Sequence, residues 1–208
     1  MLTFVSFVSA LSILIPLTIG ALNYKYLTRE LKILGLFFVF GAAIDSLSWY
    51  YSFVGVPNLW LFHLYTLVEF SVLMYVMSLW MGEGLQRRLL QLSVLCFSIL
   101  WLISKVTFES IQRFDSFTAS FSNLLLVLAG VYLIQQFSVG LFRTTLVNPK
   151  FWICASILLY YSVNLVLIAV GNLVYVRWLQ SVINVLANIL YAIGFACSRL
   201  QSKLNGPS

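Results

Sequence analysis

Residues 33–54 read ILGLFFVFGAAIDSLSWYYSFV, an apolar run that contains a single charged side chain, Asp45. A helix rises about 1.5 Å per residue, so a run of this length crosses the roughly 30 Å hydrocarbon core of a bilayer. Backbone groups in hydrocarbon must bond within the protein, and a helix satisfies them within its own segment. The stretch therefore predicts a transmembrane helix with a carboxyl group near its middle.

Six further runs of this kind lie along the chain. They are separated by charged residues or by short turn-forming sequences such as Gly55-Val56-Pro57-Asn58, Asn148-Pro149 and Gly171-Asn172. We predict an all-α integral membrane protein in which residues 1–208 form one bundle of seven transmembrane helices. The predicted helices are Leu2–Leu22, Ile33–Val54, Leu59–Met81, Leu89–Ser104, Ser116–Phe137, Phe151–Val170 and Tyr175–Cys197.

The composition excludes a soluble domain. Apolar residues make up 62% of the chain and charged residues 9%, whereas soluble domains are about half apolar and about a quarter charged. The net charge of +6 does not predict a nucleic-acid partner, because the basic residues separate the apolar runs instead of forming a stripe among aromatics. Cys96, Cys154 and Cys197 all lie within apolar runs, where we interpret them as small core residues.

The distribution of Lys and Arg predicts the orientation. One set of loops holds nine basic residues and the alternate set three, and basic residues concentrate on the cytoplasmic side. We therefore expect the N-terminus outside, the C-terminus inside, and a multi-pass protein of a bacterial inner membrane. The cytoplasmic set is Lys25, Arg29, Lys32, Arg87, Arg88, Arg143, Lys150, Arg199 and Lys203; the outer set is Lys105, Arg113 and Arg177.

Two carboxyl groups lie deep within predicted helices, Asp45 in the second and Glu69 in the third. An ionised side chain at the bilayer centre costs at least about 2.5–3.5 kcal/mol, so such residues face the protein interior and mark function. No Lys or Arg lies at their depth. We expect at least one of the two to be protonated at rest, because burial disfavours the charged form.

Amide, imidazole and aromatic side chains extend the predicted site. Asn164 lies in the sixth helix, and Asn184 and Asn188 share one face of the seventh, where they either bind a solute or join helices by hydrogen bonds. His63, the only histidine, lies near the outer end of the third helix, as a wall residue or a proton relay. Five aromatic residues are candidate pocket walls: Trp49, Tyr65, Tyr160, Tyr161 and Tyr191. We predict no metal and no cofactor.

A weak internal repeat relates the two halves. Asp45 and Glu69 are 24 residues apart, as are Asn164 and Asn188, and a single offset of 119 (164 − 45 and 188 − 69) superposes the pairs. The repeats would be residues 1–81 and 116–200, with 89–104 as a linker helix. Parallel repeats of this kind build transporters with a site between the halves.

This 3+1+3 layout resembles the seven-helix transporters of the SWEET and PQ-loop class and of the PnuC type over nearly the whole chain. The resemblance implies a central solute site in which Glu69 and Asn188 occupy the places of that class's paired asparagines. The chain has no Pro-Gln dipeptide, and Pro16 is the only proline inside a predicted helix.

Two other resemblances are weaker. Seven helices with the N-terminus outside also look like rhodopsins and receptors, although the seventh helix has no lysine for a retinal Schiff base. Asp45 followed by His63 and Tyr65 is similar to small membrane hydrolases of the lysoplasmalogenase type.

The leading functional prediction is binding and transport of an unknown small solute, coupled to protons through Asp45 and Glu69. The first alternative is a receptor-like sensor that signals through a separate partner, and the second is an intramembrane hydrolase using Asp45, His63 and Glu69. The expected partners are the lipid bilayer, the solute, and either further copies of the chain or a signalling protein.

Overall fold

Seven helices in the computed structural model are long and apolar enough to cross a membrane. The structure describes residues 2–137, 142–170 and 174–204, with the backbone alone for 2–3, 142–144 and 174–177. These residues form helices and no strand, which confirms the predicted all-α bundle of seven spanning helices. The predicted turn at Gly171-Asn172 and the side chains of Arg143, Tyr175 and Arg177 lie outside this part of the chain.

The helices follow the predicted order along the chain, with a short 3-10 turn, Tyr24–Tyr26, after the first span. Their bounds are α1 (Leu2–Leu11), α2 (Leu14–Leu22), α3 (Arg29–Phe53), α4 (Leu59–Trp80), α5 (Leu85–Thr107), α6 (Ser116–Phe137), α7 (Phe142–Val147), α8 (Pro149–Val170) and α9 (Val174–Leu204).

The first span is broken, which corrects the predicted continuous helix Leu2–Leu22. A turn at Ser12 and Ile13 separates α1 from α2. Pro16 has no N–H to donate to the carbonyl four residues earlier, on Ser12, and its ring crowds that carbonyl. The Ser12 carbonyl accepts a hydrogen bond from the Ile15 N–H instead, at 3.0 Å, and the Ser12 hydroxyl donates to the Ser9 carbonyl at 2.6 Å.

Three spans extend further than predicted. The second begins at Arg29 instead of Ile33, the fourth runs over Leu85–Thr107 instead of Leu89–Ser104, and the seventh helix continues to Leu204 instead of ending at Cys197. All three extensions contain basic residues, which keep their charged ends in water while their apolar stems lie along the helix. Hydropathy alone therefore makes these helices too short.

Six spanning elements form a closed ring. In order around it, α2 packs against α3, α3 against α4, α4 against α6, α6 against α8, α8 against α9, and α9 against α2. The fourth span, α5, lies outside the ring against α4 and α6, and only Phe97 and Ser104 on it are buried. The interior of the ring is the one place in the bundle that all six elements can line.

One end of the ring interior is packed with apolar side chains. These residues lie near the ends of their helices on the side where α2 ends and α3 begins: Leu31, Leu34, Met77, Leu133, Ile153 and Phe195, all at most 1% exposed. Phe38 lies above them and packs edge-on against Tyr191, with ring centroids 4.8 Å apart. Among the described residues, this packing closes the end of the ring interior that lies away from the N-terminus.

Candidate functional site

A cavity of about 290 Å³ lies inside the ring, in the half that carries the N-terminus. Its volume is near the lower end of the roughly 300–1,000 Å³ that ligand sites occupy. All six elements of the ring or their ends contribute lining residues. Its polar lining consists of Asp45, Tyr65, Thr66, Glu69, Asp115, Ser122, Asn123, Tyr160, Tyr161, Asn164, Gln180, Asn184, Asn188 and Tyr191.

The charge in this lining has one sign. Asp45, Glu69 and Asp115 each carry a carboxyl group, while no Lys, Arg or His is present among the described residues that line the cavity. Carboxyl groups removed from water without a counter-charge are costly and must be neutralised by a proton or by a cation. The cavity can therefore accept protons and positively charged or neutral polar groups, and it disfavours anions.

Glu69 is the most central of the three carboxyl groups. It lies near the middle of α4, ten residues (69 − 59) from that helix's first residue, Leu59, and its side chain is half-buried and faces the cavity. The hydroxyls of Tyr65 and Tyr161 approach it closely enough to donate hydrogen bonds. The ring thus encloses Glu69, as expected for a carboxyl group deep in a membrane helix.

Asp45 lines the same cavity from α3, but its side chain is exposed. It therefore lies at the rim of the cavity. Both carboxyl groups were expected to be enclosed by the protein, but of the two only Glu69 is. Gly41, one turn earlier on α3, lies under the Tyr65 ring, and a Cβ there would be 3.7 Å from the Tyr65 hydroxyl oxygen. This close passage of α3 over α4 brings both carboxyl groups to one cavity.

Asp115 belongs to the cavity, although sequence reasoning did not place it there. It directly precedes α6, and an acidic residue at this place is typical of a helix N-cap. Its position in the sequence therefore does not indicate a cavity. In the structure its side chain is 2% exposed, and its Oδ2 accepts a hydrogen bond from the Thr66 hydroxyl at 2.7 Å. The other polar lining residues absent from the predicted site are Thr66, Ser122, Asn123 and Gln180.

The two asparagines of α9 hold the broken first span. Asn184 donates to the Ser9 hydroxyl at 3.0 Å, and Asn188 donates to the Ser12 hydroxyl at 2.7 Å. Both also line the cavity. Their amide nitrogens therefore join helices, which is one of the two predicted roles. Each amide oxygen can still accept a hydrogen bond from a ligand.

Four predicted wall tyrosines surround the polar groups. Tyr65, Tyr160, Tyr161 and Tyr191 all line the cavity, and the rings of Tyr160 and Tyr161 meet edge to face at 5.0 Å. The Tyr160 hydroxyl interacts with the side chain of Asn164, which also lines the cavity. The walls are thus aromatic faces that carry hydroxyl groups.

His63 and Trp49 lie outside the cavity lining. His63 is 2% exposed, and its Nε2 donates to the backbone carbonyl of Arg113 at 2.7 Å, which ties the loop before α6 to α4. Trp49 is 55% exposed and packs edge-on against Phe7 of α1. The structure therefore does not bring His63 together with Asp45 and Glu69.

Residues 108–115 are fastened over the same end of the bundle by Glu109. Its carboxylate accepts hydrogen bonds from Lys105 at 2.6 Å, from the Thr118 hydroxyl at 2.8 Å and from the Phe117 backbone N–H at 3.0 Å. Burial raises the pKa of Glu109, but the hydrogen bonds from Lys105 and Thr118 and the charge of Lys105 outweigh it and hold the pKa below its usual range. Phe114 of this loop reaches the cavity.

Comparisons with protein-family models, with curated proteins and with solved structures found no match to this chain. The similarity to the SWEET, PQ-loop and PnuC types thus stays a prediction from layout. Within the described residues, no three His, Cys, Asp or Glu side chains are grouped as metal ligands would be.

Proposed function

We propose that this multi-pass membrane protein binds a small polar solute in the ring cavity and carries it across the membrane by alternating access. The observation that carries the proposal is the cavity itself, which encloses Glu69 and is closed by packed side chains at one end only. A site open to one side of a bilayer and blocked on the other is one state of such a cycle.

Proton exchange at Glu69 and Asp45 is part of the proposal. Neither carboxyl group faces a basic residue among the described lining of the cavity. A carboxyl group in this setting is neutral when protonated and needs a cation when ionised. Solute binding and proton binding would therefore influence each other at the same oxygens.

The proposal is tested by cysteine labelling with a membrane-impermeant maleimide in vesicles of both orientations, on a background with Cys96, Cys154 and Cys197 replaced. Ala119→Cys, in the cavity, is expected to react from the side of the N-terminus. Met77→Cys, in the closed end, is expected to react from the opposite side whenever the site turns inward. Phe97→Cys is the matched control, because it is equally buried but lies between α4 and the peripheral α5.

In the same vesicles a pH gradient is expected to change the ratio of the two labelling rates, and Glu69→Gln should remove that change because glutamine cannot take up a proton. Protection of Met77→Cys from both sides under all conditions would contradict transport. That result, with solute binding retained, would instead favour the receptor-like alternative. The hydrolase alternative has no support in the contacts of His63, because its ring bonds the Arg113 carbonyl and lies outside the cavity lining.

A further inference from the structure

The charge and the walls of the cavity point to one class of ligand. We infer that the solute is a small organic cation whose ammonium group pairs with Glu69 and whose apolar part packs against the aromatic walls. The inference rests on the proposed function, since it names the substrate class of that same site.

Charge provides the first argument. The three carboxyl groups of Asp45, Glu69 and Asp115 reach the cavity from α3, from α4 and from the start of α6, and no basic side chain among the described residues reaches it. A site for an anion would need a cation in its lining, and this lining offers carboxyl groups instead. An ammonium group supplies the missing charge.

Glu69 is the carboxyl group best placed to be the counter-ion. Asp115 already accepts a hydrogen bond from Thr66, and Asp45 lies at the exposed rim. Glu69 is deeper, and the tyrosine hydroxyls near it orient the carboxylate without bringing a positive charge. The order along the path is then Asp45 at the rim and Glu69 at the inner position.

Aromatic faces provide the second argument. Eight of the lining residues are Phe or Tyr, and they come from α3, α4 and α8, from α9 and from the loop before α6. The negative face of an aromatic ring attracts a cation, and rings grouped around a cavity are a known way to recognise ammonium groups. The same rings bury the apolar substituents of an organic cation, which inorganic ions lack.

An amide that faces the cavity provides the third argument. Asn123 of α6 is 7% exposed and lines the cavity, and none of the hydrogen bonds among the described residues involves its side chain. Its amide atoms are not among the fully buried atoms without a partner, so the amide is accessible from the cavity. The oxygen of Asn123 can therefore accept a hydrogen bond from a ligand's N–H or O–H group.

The size of the cavity limits the cation. A volume of about 290 Å³ is the space of about ten water molecules at roughly 30 Å³ each. This admits one ammonium group with a few carbons and a hydroxyl, and it is too small to enclose a peptide or a nucleotide. The polar rim accommodates the hydroxyl.

The test uses three probes of nearly the same shape and different charge: choline, its neutral carbon analogue 3,3-dimethylbutan-1-ol, and the anion 3,3-dimethylbutanoate. Binding to the purified full chain in detergent is measured by calorimetry and by the change in intrinsic tryptophan and tyrosine fluorescence. Choline is expected to bind at least about tenfold more tightly than the neutral analogue, which corresponds to about 1.4 kcal/mol. The anion is expected not to bind.

Two variants separate the charge of Glu69 from the shape of the cavity. Glu69→Gln is expected to weaken choline binding about tenfold and to leave the neutral analogue within about twofold, which also shows that the variant is folded. Glu83→Gln is the matched control, because it removes an exposed carboxyl group from the loop between α4 and α5, at the other end of the bundle. It is expected to change neither affinity.

Equal affinity for choline and its neutral analogue would overturn the cation inference and leave the solute site in place. Unchanged choline binding in Glu69→Gln would overturn the assignment of the counter-ion. Absence of binding by all three probes would also overturn the inference, while the maleimide labelling of Ala119→Cys and Met77→Cys decides the transport proposal on its own.

Discussion

At the scale of single residues, some polar side chains of this protein hold the fold, some face the cavity, and Asn184 and Asn188 do both. Glu109 belongs to the first kind, because its carboxylate joins the end of α5 to the first turn of α6. Glu69 belongs to the second, because it lines the cavity and the hydroxyls of Tyr65 and Tyr161 approach its carboxyl group. The two acids differ in whether a cation is already present beside them.

Replacing Glu109 by glutamine is expected to destabilise the fold by about 1–3 kcal/mol, because the buried side chain of Lys105 loses the carboxylate of its ion pair. The native pKa is lowered, so this stabilisation is fully present above the unfolded-state pKa of about 4.3 and is lost as the pH falls through the native value. Unfolding in detergent at pH 7 and below pH 4 measures it. A difference between wild type and variant that persists at the lower pH would contradict the assignment.

At the scale of helices, the ring depends on close approaches that only small residues allow. A Cβ at Gly194 of α9 would lie 2.8 Å from Ile153 Cγ1 and 3.1 Å from the Pro149 carbonyl oxygen of α8. A Cβ at Gly130 of α6 would lie 3.0 Å from a Leu158 methyl group, also on α8. Helix α8 is thus packed tightly between α6 and α9 and forms a rigid wall of the cavity.

Gly194→Ala is expected to lower the free energy of unfolding by about 1–3 kcal/mol through overpacking against the α8 backbone, despite the better helix propensity of alanine. Gly35→Ala is the matched control, since a Cβ at Gly35 of α3 meets nothing within 4 Å. That variant is expected to be neutral or slightly stabilising. Equal effects of the two substitutions on thermal unfolding in detergent would show that helix propensity, and not packing, determines the change in stability.

At the scale of the whole molecule, the ring has one open half and one closed half, so its function depends on which side of the membrane each half faces. The basic residues favour the closed half inside and the cavity outside. The cavity would then sample the medium outside the cell.

The orientation is tested with Gln112→Cys, in the exposed loop before α6, and Glu83→Cys, in the exposed loop before α5, each on the background without native cysteines. In intact cells a membrane-impermeant maleimide is expected to label the first and not the second, because the loops lie on opposite sides of the bilayer. Labelling of Glu83→Cys alone would show that the orientation is the reverse of the predicted one. Permeabilised cells, in which both should react, provide the control.

Several features of this protein follow from its sequence by itself. Seven apolar runs, each long enough to cross hydrocarbon, determine seven helices, because no other local structure satisfies the backbone in lipid. The depth of Asp45 and Glu69 follows from their places within those runs. Hydropathy could not predict the break at Ser12, since it depends on the geometry of Pro16 and on hydrogen bonds from the distant Asn184 and Asn188.

Tertiary structure alone decided which polar groups share the cavity. Asp115 lies at the start of a helix and His63 on the same helix as Glu69, yet the fold brings Asp115 into the cavity and directs His63 to a backbone carbonyl. The reason is that hydropathy reports the depth of a residue, while its direction around the helix axis matters only relative to the neighbouring helices. In lipid, apolar surface drives no helix to a particular partner, so close packing and hydrogen bonds set those directions.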